Sequence, residues 1–514
     1  MLADRREIFH MSQLVGPLAP VAPARLGGDH KLWALGLSVA VLIAILLLPQ
    51  PADLPVAGQR MLAVFGFAVV VWITEALDYA VSAIVIAALM ALLLGLSPDP
   101  AKPGALLGTV QGLGMAAGGF ANTALILVAA ALFLAAAMTV TGLDRRVALS
   151  VLSHVGARTR RVVIGGILVN IVLSFLVPSA TARAAALIPI MTGVIAAFGV
   201  DKRSRLAALV MITAVQAVSI WNVGVKTAAA QNLVAIGFIQ KLLGTDITWL
   251  DWLVAAAPFS IVLSIGLYFI MIVMMPPETD RIAGGPAAIA AARAQLGPMS
   301  GREKRLLAVS LALLALWATE ARLHPFDSAT TTVAAIALLF LPRLGVMDWK
   351  QAQPHIPWGT IVLFGVGISL GSVLLQTKAA AWLANLIVAS FALDQLGPLS
   401  VLAVLGLFLI VIHLGFASAT ALASSMIPIV IAVLQKIHAP GGGGFSIVGL
   451  TMLLQFVVSY GFILPVNSPQ GMIAYGTDTF SARDFVRTGL ALTVLAYALT
   501  LLFGATYWRW LGLV

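Results

Sequence analysis

The sequence predicts an all-α polytopic membrane protein: about eleven transmembrane helices in two inverted repeats, with re-entrant hairpins and broken helices. Three observations predict it. Of 514 residues 61% are apolar and 10% charged, with a mean hydropathy of +1.04, against about 25% charged in soluble domains. A small polar motif occurs twice inside the most apolar stretches, and loops at equivalent places in the two halves differ in charge.

Taken in order, residues 1–30 carry Arg5, Arg6 and Arg25 and lack the apolar core and cleavage site of a signal peptide, so they read as a cytoplasmic tail with the N-terminus inside. A first transmembrane helix and its connection occupy 31–58, repeat 1 spans 59–275, a cytoplasmic linker 276–301, and repeat 2 spans 302–514. Apolar runs at 32–48, 61–76, 124–140 and 253–274 are close to the ~20 residues that cross a bilayer. No segment is polar and long enough to form a separate soluble domain, so a multi-pass protein of the cytoplasmic (inner) membrane is expected. The absence of cysteine excludes disulfides, thiolate metal sites and cysteine nucleophiles. The net charge of +10 lies in short loops beside apolar segments, where it orients a chain in the lipid bilayer; no basic face continues far enough to hold nucleic acid.

The repeat is explicit. Ser179 and Thr181, within Val177-Pro-Ser-Ala-Thr-Ala-Arg183, and Pro189 beyond it return as Ser418, Thr420 and Pro428, each 239 positions later (418 − 179). Trp72-Ile-Thr-Glu75 returns as Trp317-Ala-Thr-Glu320, and Gln231-Asn-Leu-Val-Ala-Ile-Gly237 as Gln470-Gly-Met-Ile-Ala-Tyr-Gly476. Loop 144–161 holds Arg145, Arg146, Arg158, Arg160 and Arg161, whereas its counterpart near 378–400 holds only Lys378. Because Lys and Arg stay on the cytoplasmic side, equivalent loops fall on opposite faces and the repeats are inverted. Residues 162–200 contain Arg183 as their only formal charge, and 395–435 contain only His413 as an ionisable group. Each stretch is too long for one span and carries a Ser-Ala-Thr cluster at its middle, which reads as a re-entrant hairpin followed by a broken helix. Paired breaks in inverted halves point to a transporter binding site at mid-membrane.

The candidate site residues follow from these breaks. Ser179, Thr181, Ser418 and Thr420 offer hydroxyls beside helix N-termini, whose unpaired N–H groups hold carboxylate or sulfate. Arg183 lies four residues after Ser179 on the same helical face; it reads as a fork for a carboxylate or as the partner of an acid such as Glu75 or Glu320. Lys226, before the unwound segment with Thr227, Ala228 and Ala229, reads equally as a second cation at the cavity or as a snorkelling lysine. Asn467, Ser468 and Pro469 form the matching segment of repeat 2, where Pro469 removes a donor and frees carbonyls. Glu75 and Glu320 read as helix-end anchors ahead of proton carriers, and His413 as a packed histidine ahead of a titrating one. The glycine loop 441–444 follows no strand and precedes no Lys-Ser or Lys-Thr pair, so it cradles no phosphate. The seven histidines have no metal-ligand spacing and no triad of nucleophile, base and orienter stands out, so an enzyme is not expected.

With Trp72–Glu75, the doubled Ser-x-Thr-Ala followed by Ile-Pro-Ile, and the Pro469 loop before Tyr475-Gly476, the chain from Gln59 onward resembles the divalent anion/sodium symporter family of dicarboxylate, citrate and sulfate carriers. The resemblance implies homodimers of eleven-helix protomers whose transport domain moves as an elevator against a scaffold. It also implies that Ser179-Ala180-Thr181 and Ser418-Ala419-Thr420, with the loops near 228–230 and 467–469, bind substrate carboxylates and form two sodium sites near Ser179 and Ser418. The family has asparagine where this chain has Ala180 and Ala419, and a methyl neither ligates sodium nor donates to carboxylate. Arg183, after the first motif, resembles the exchanger branch. The expectation is therefore secondary transport of a small divalent organic anion without a cofactor, by exchange or proton-linked uptake. Sodium symport of a dicarboxylate or sulfate is the alternative, and a passive anion channel is the alternative of another class.

Overall fold

The structure is a computed structural model and describes residues 28–514 apart from 100, 101, 103, 157, 198, 280–284 and 439–443. Residues 1–27 of the expected tail and most of the glycine loop lie outside the described residues, and 28–30 already belong to the first helix. Everything described is helix and connection, with no strand beyond isolated bridges. Nine described helices are long and apolar enough to cross a membrane, and shorter apolar helices accompany them. The four apolar runs of the sequence become Gly28–Leu47, Val56–Thr74, Thr123–Thr141 and Trp249–Met274.

Element order repeats along the chain. Val56–Thr74 and Tyr79–Gly95 open one half as Gly301–Thr319 and Ser328–Phe340 open the other. Thr123–Thr141 then corresponds to Trp358–Gln376, and the short helix Leu143–Leu152 to Ala379–Phe391. The first hairpin, Thr159–Leu176 and Ala180–Ala197, corresponds to the second, Pro398–His413 and Ala419–Ile437. The first broken helix, Arg205–Gly224 and Ala230–Leu243, corresponds to Ile447–Val458 and Pro469–Tyr475, and the halves close with Trp249–Met274 and Ala482–Ala505. Linker 276–301 contains a further helix, Gly285–Gln295, that the polar composition did not signal. Arg146 secures the chain after it by donating to the Leu296 and Gly297 carbonyls and pairing with Glu303 at 2.5 Å.

The Trp-x-Thr-Glu signature is a packing device. Trp72 donates from Nε1 to the Ser82 hydroxyl at 3.0 Å, and Trp317 does the same to Thr332 at 3.2 Å. Each buried indole thus fills the seam between the two opening helices of its half and satisfies its own polar edge.

The breaks have local causes. Val177 leaves the helical region (φ −117°, ψ 98°) before Pro178, which disfavours helix in the residue preceding it. Ser418 is extended at the second tip (φ −138°, ψ 115°). Val225 and Ala229 are extended on either side of one 3₁₀ turn, and Ser468 is extended immediately before Pro469, which restarts the helix at its first position. Asn232 donates its amide to the Asn222 carbonyl at 2.6 Å and so satisfies an acceptor the first break would leave bare.

The equivalent helices Thr123–Thr141 and Trp358–Gln376 run in opposite directions, since Thr139 shares a cavity with Thr360. The Gly119 N–H, just before Thr123–Thr141, donates at 2.8 Å to Ser369, in the second half of Trp358–Gln376. Backbones touch at this crossing: a Cβ on Gly119 would overlap the Gly365 carbonyl oxygen and crowd Ser369. Gly119→Ala should therefore lower the unfolding free energy by about 1–3 kcal/mol through overpacking, seen as a lower thermal midpoint in detergent. A midpoint equal to wild type would mean that the crossing yields freely.

Candidate functional site

A cavity of about 460 Å³ gathers both motifs and both loops. Ser179, Ala180 and Thr181 enter it from one hairpin tip and Ser418, Ala419 and Thr420 from the other, while Ala229 and Asn467, Ser468 and Pro469 come from the helix breaks. The helices beginning at Ala180, Ala230 and Ala419 all start at its wall, so unpaired N–H groups and the positive ends of helix dipoles converge there.

The serines have a shared geometry. Ser179 accepts from the Ala182 N–H at 3.3 Å, Ser418 from Ala421 at 3.3 Å and Ser468 from Gly471 at 3.2 Å. A hydroxyl that accepts in this way keeps its own proton for another partner. The motif therefore caps a helix and presents an O–H donor to the cavity at once.

Arg183 stands behind this wall. It is fully enclosed (0% exposed) and does not line the cavity. One terminal nitrogen donates to the Asn222 side-chain oxygen and, at 3.1 Å, to the Ala228 carbonyl. Its remaining guanidinium nitrogens find no partner among the described residues, and neither Glu75 nor Glu320 pairs with it. Asn222 does line the cavity, so one amide separates the cation from the space in front of it.

In repeat 2 the positions of Arg183, Asn222 and Ala228 are held by Leu422, Gly461 and Asn467 (each + 239). The tie is rebuilt in reverse: Asn467 donates to the His413 and Phe416 carbonyls at 2.8 and 2.9 Å and accepts from Leu464 at 3.2 Å. Its side chain is thereby spent on holding the hairpin tip to the loop. His413 is buried beside Gly461, with both ring nitrogens unpartnered among the described residues. It does not line the cavity.

The other candidates lie elsewhere. Lys226 donates to the Ile247 carbonyl at 2.6 Å and faces a second cavity, of about 670 Å³, with Glu320 and Asp327. Thr227 is buried and accepts from the Trp249 indole at 3.3 Å. Glu320 receives the Ser328 N–H and hydroxyl at 2.9 and 2.6 Å, and Glu75 receives the Tyr79 hydroxyl at 3.0 Å. The two cavities lie toward opposite ends of helix Thr123–Thr141, since Thr139 lines the first and Thr123 the second. Among the described residues no group of three His, Asp or Glu could hold a metal.

Sequence reasoning missed Tyr79, His355 and Thr360, which face the motifs across the first cavity. They belong to the opposing helices, and no spacing in the chain announces that. It also passed over Gln231 and Gln470 as site residues, although their positions match in the repeat alignment.

Residues 29–514 match the sodium:sulfate symporter transmembrane region, and the chain belongs to that family. A membrane protein of Cupriavidus necator is 58% identical over 482 residues, covering 94% of this chain and 93% of its own. The L-tartrate/succinate antiporter of Escherichia coli is 27% identical, over 92% of this chain and 97% of its own. Among solved structures, the YdaH transporter of Alcanivorax borkumensis shares the fold, with a TM-score of 0.51 at 14% identity over 83% of this chain and 97% of that one. The chain is a multi-pass membrane transporter of small anions and not an enzyme.

Asn467→Ala should leave the Phe416 carbonyl without a donor and take one of two donors from the His413 carbonyl, at a cost of about 1–3 kcal/mol for a buried acceptor. Hydrogen exchange at the second hairpin tip is the measurement; exchange as slow as in wild type would mean that Asn467 does not hold the tip.

Proposed function

We propose that this chain is a secondary active transporter of small divalent organic anions, the di- and tricarboxylates, which it exchanges across the cytoplasmic membrane by an elevator movement. The observation that carries the reading is the convergence of three serine O–H donors and three helix N-termini on one cavity, with a single fixed cation enclosed behind it. Oppositely placed hairpin tips suit a ligand with a carboxylate at each end. The antiporter named above is a relative of this kind.

Exchange is favoured over sodium symport by the donor set. Ala180 and Ala419 bring no oxygen to a cation, the Ala228 carbonyl is taken by Arg183, and the His413 and Phe416 carbonyls are taken by Asn467. Fewer oxygens are thereby left for a sodium ion at either hairpin than two asparagines and free carbonyls would supply. Arg183 supplies a permanent positive charge in repeat 1, where repeat 2 has Leu422. The elevator reading rests on the two cavities at opposite ends of one helix, with the motifs on hairpins that could carry the ligand from one to the other. A homodimer, by resemblance, and a cytoplasmic N-terminus, by the arginines Arg5, Arg6 and Arg25, belong to the same reading.

Proteoliposomes test it. Uptake of labelled succinate, malate, 2-oxoglutarate, citrate or sulfate is measured with sodium or choline outside and with or without unlabelled anion inside. Uptake that needs internal anion and ignores sodium is expected; sodium-dependent uptake into empty vesicles would replace exchange by symport, and non-saturable flux without trans-stimulation would mean a channel. Arg183→Ala should weaken dicarboxylate affinity about tenfold or more, a change of ~1.4 kcal/mol or more. Unchanged saturation kinetics would remove Arg183 from the site's electrostatics.

A further inference from the structure

Gln231 and Gln470 occupy the same place in the two repeats, 239 apart, each the second residue of the helix that restarts after a break. Both are buried and both line the cavity. Each reaches across to a serine of the other repeat: Gln231 donates from Nε2 to Ser459 at 3.4 Å, and Gln470 to Ser219 at 3.0 Å. The serines are themselves 240 apart (459 − 219), within one residue of the repeat offset.

Both amides point the same way. Gln470 gives an N–H to the Ser219 hydroxyl, which has the Val215 carbonyl at 3.4 Å as its own acceptor, and Gln231 gives an N–H to the Ser459 hydroxyl. Each glutamine thus presents NH₂ to its serine and turns its carbonyl oxygen away from it. Among the described residues no donor reaches either amide oxygen, yet neither is sealed off as the side-chain oxygens of Gln216 and Gln455 are. Their open side is the cavity.

The cavity therefore has two chemistries. The hairpin tips offer O–H and N–H donors suited to carboxylates, whereas the glutamines offer two carbonyl acceptors where the repeats meet. An amide oxygen repels a carboxylate and is left unpaired beside a methylene, but it is satisfied by a hydroxyl. We propose that Gln231 and Gln470 are specificity-determining residues that select dicarboxylates carrying a hydroxyl between their carboxylates over unsubstituted ones. This rests on the dicarboxylate reading of the same cavity.

The test is competition in proteoliposomes loaded with unlabelled malate, reading half-inhibition of labelled malate uptake by malate, tartrate and succinate. Wild type should favour malate and tartrate over succinate by roughly tenfold or more. In Gln231→Leu and Gln470→Leu that ratio should fall toward one, whereas a purely structural role would weaken all three anions in parallel and keep the ratio. Ser219→Ala, outside the cavity, leaves Gln470 in place but free to turn its NH₂ inward, and should lower the ratio as well. This variant and the wild-type ratio keep the test decisive if the leucine variants fail to fold. Equal inhibition by succinate and malate in wild type overturns the proposal, as does a ratio that survives in Gln470→Leu and Ser219→Ala. Exchange without hydroxyl discrimination removes this proposal alone; if no dicarboxylate is exchanged, the transport reading falls with it.

Discussion

Interrupted backbone in an apolar interior is the constraint on which the rest of this structure depends. Four times the chain stops being helical deep inside the protein, and each stop leaves N–H and C=O groups that no bilayer could satisfy. The solution is to turn the breaks toward one another. Ser179, Ser418 and Ser468 cap the restarting helices, Asn232 and Asn467 collect the stranded carbonyls, and the donors left over face a shared cavity.

Holding that cavity together requires each hairpin to be tied to the broken helix beside it. Repeat 1 makes the tie with Arg183, reaching from the hairpin to Asn222 and Ala228. Repeat 2 makes it with Asn467, reaching from the loop to His413 and Phe416. The two ties are mechanically alike and electrically different. A duplicated frame thus encloses one cation, which breaks the symmetry of charge without breaking the symmetry of shape. The desolvation that makes such a cation costly also makes its field strong across a single intervening amide.

Around this core, the Trp72 and Trp317 indoles lock paired helices, and Gly119 lets two backbones cross in contact. Glu75 and Glu320 belong with these supports. Glu320 gathers the N–H and hydroxyl of Ser328, and Glu75 takes up the Tyr79 hydroxyl, so both carboxylates serve helix ends. Lys226, three residues before Ala229, faces the second cavity with its ammonium on the Ile247 carbonyl.

The sequence by itself determined the helical membrane class, the two halves and the places where each helix breaks. These are written in local terms: apolar length, and proline and serine at mid-span. It also named the serines and threonines, since a repeated polar cluster in an apolar run has few other uses. The tertiary structure alone decided that Arg183 lies behind the wall instead of in it, that Lys226 faces the second cavity, and that Tyr79 and His355 close the cavity from across it. It also decided that Gln231 and Gln470 cross between repeats. The physical reason is that a helix fixes which residues share a face within about one turn, whereas which face meets which is settled only when segments some 240 positions apart are packed together.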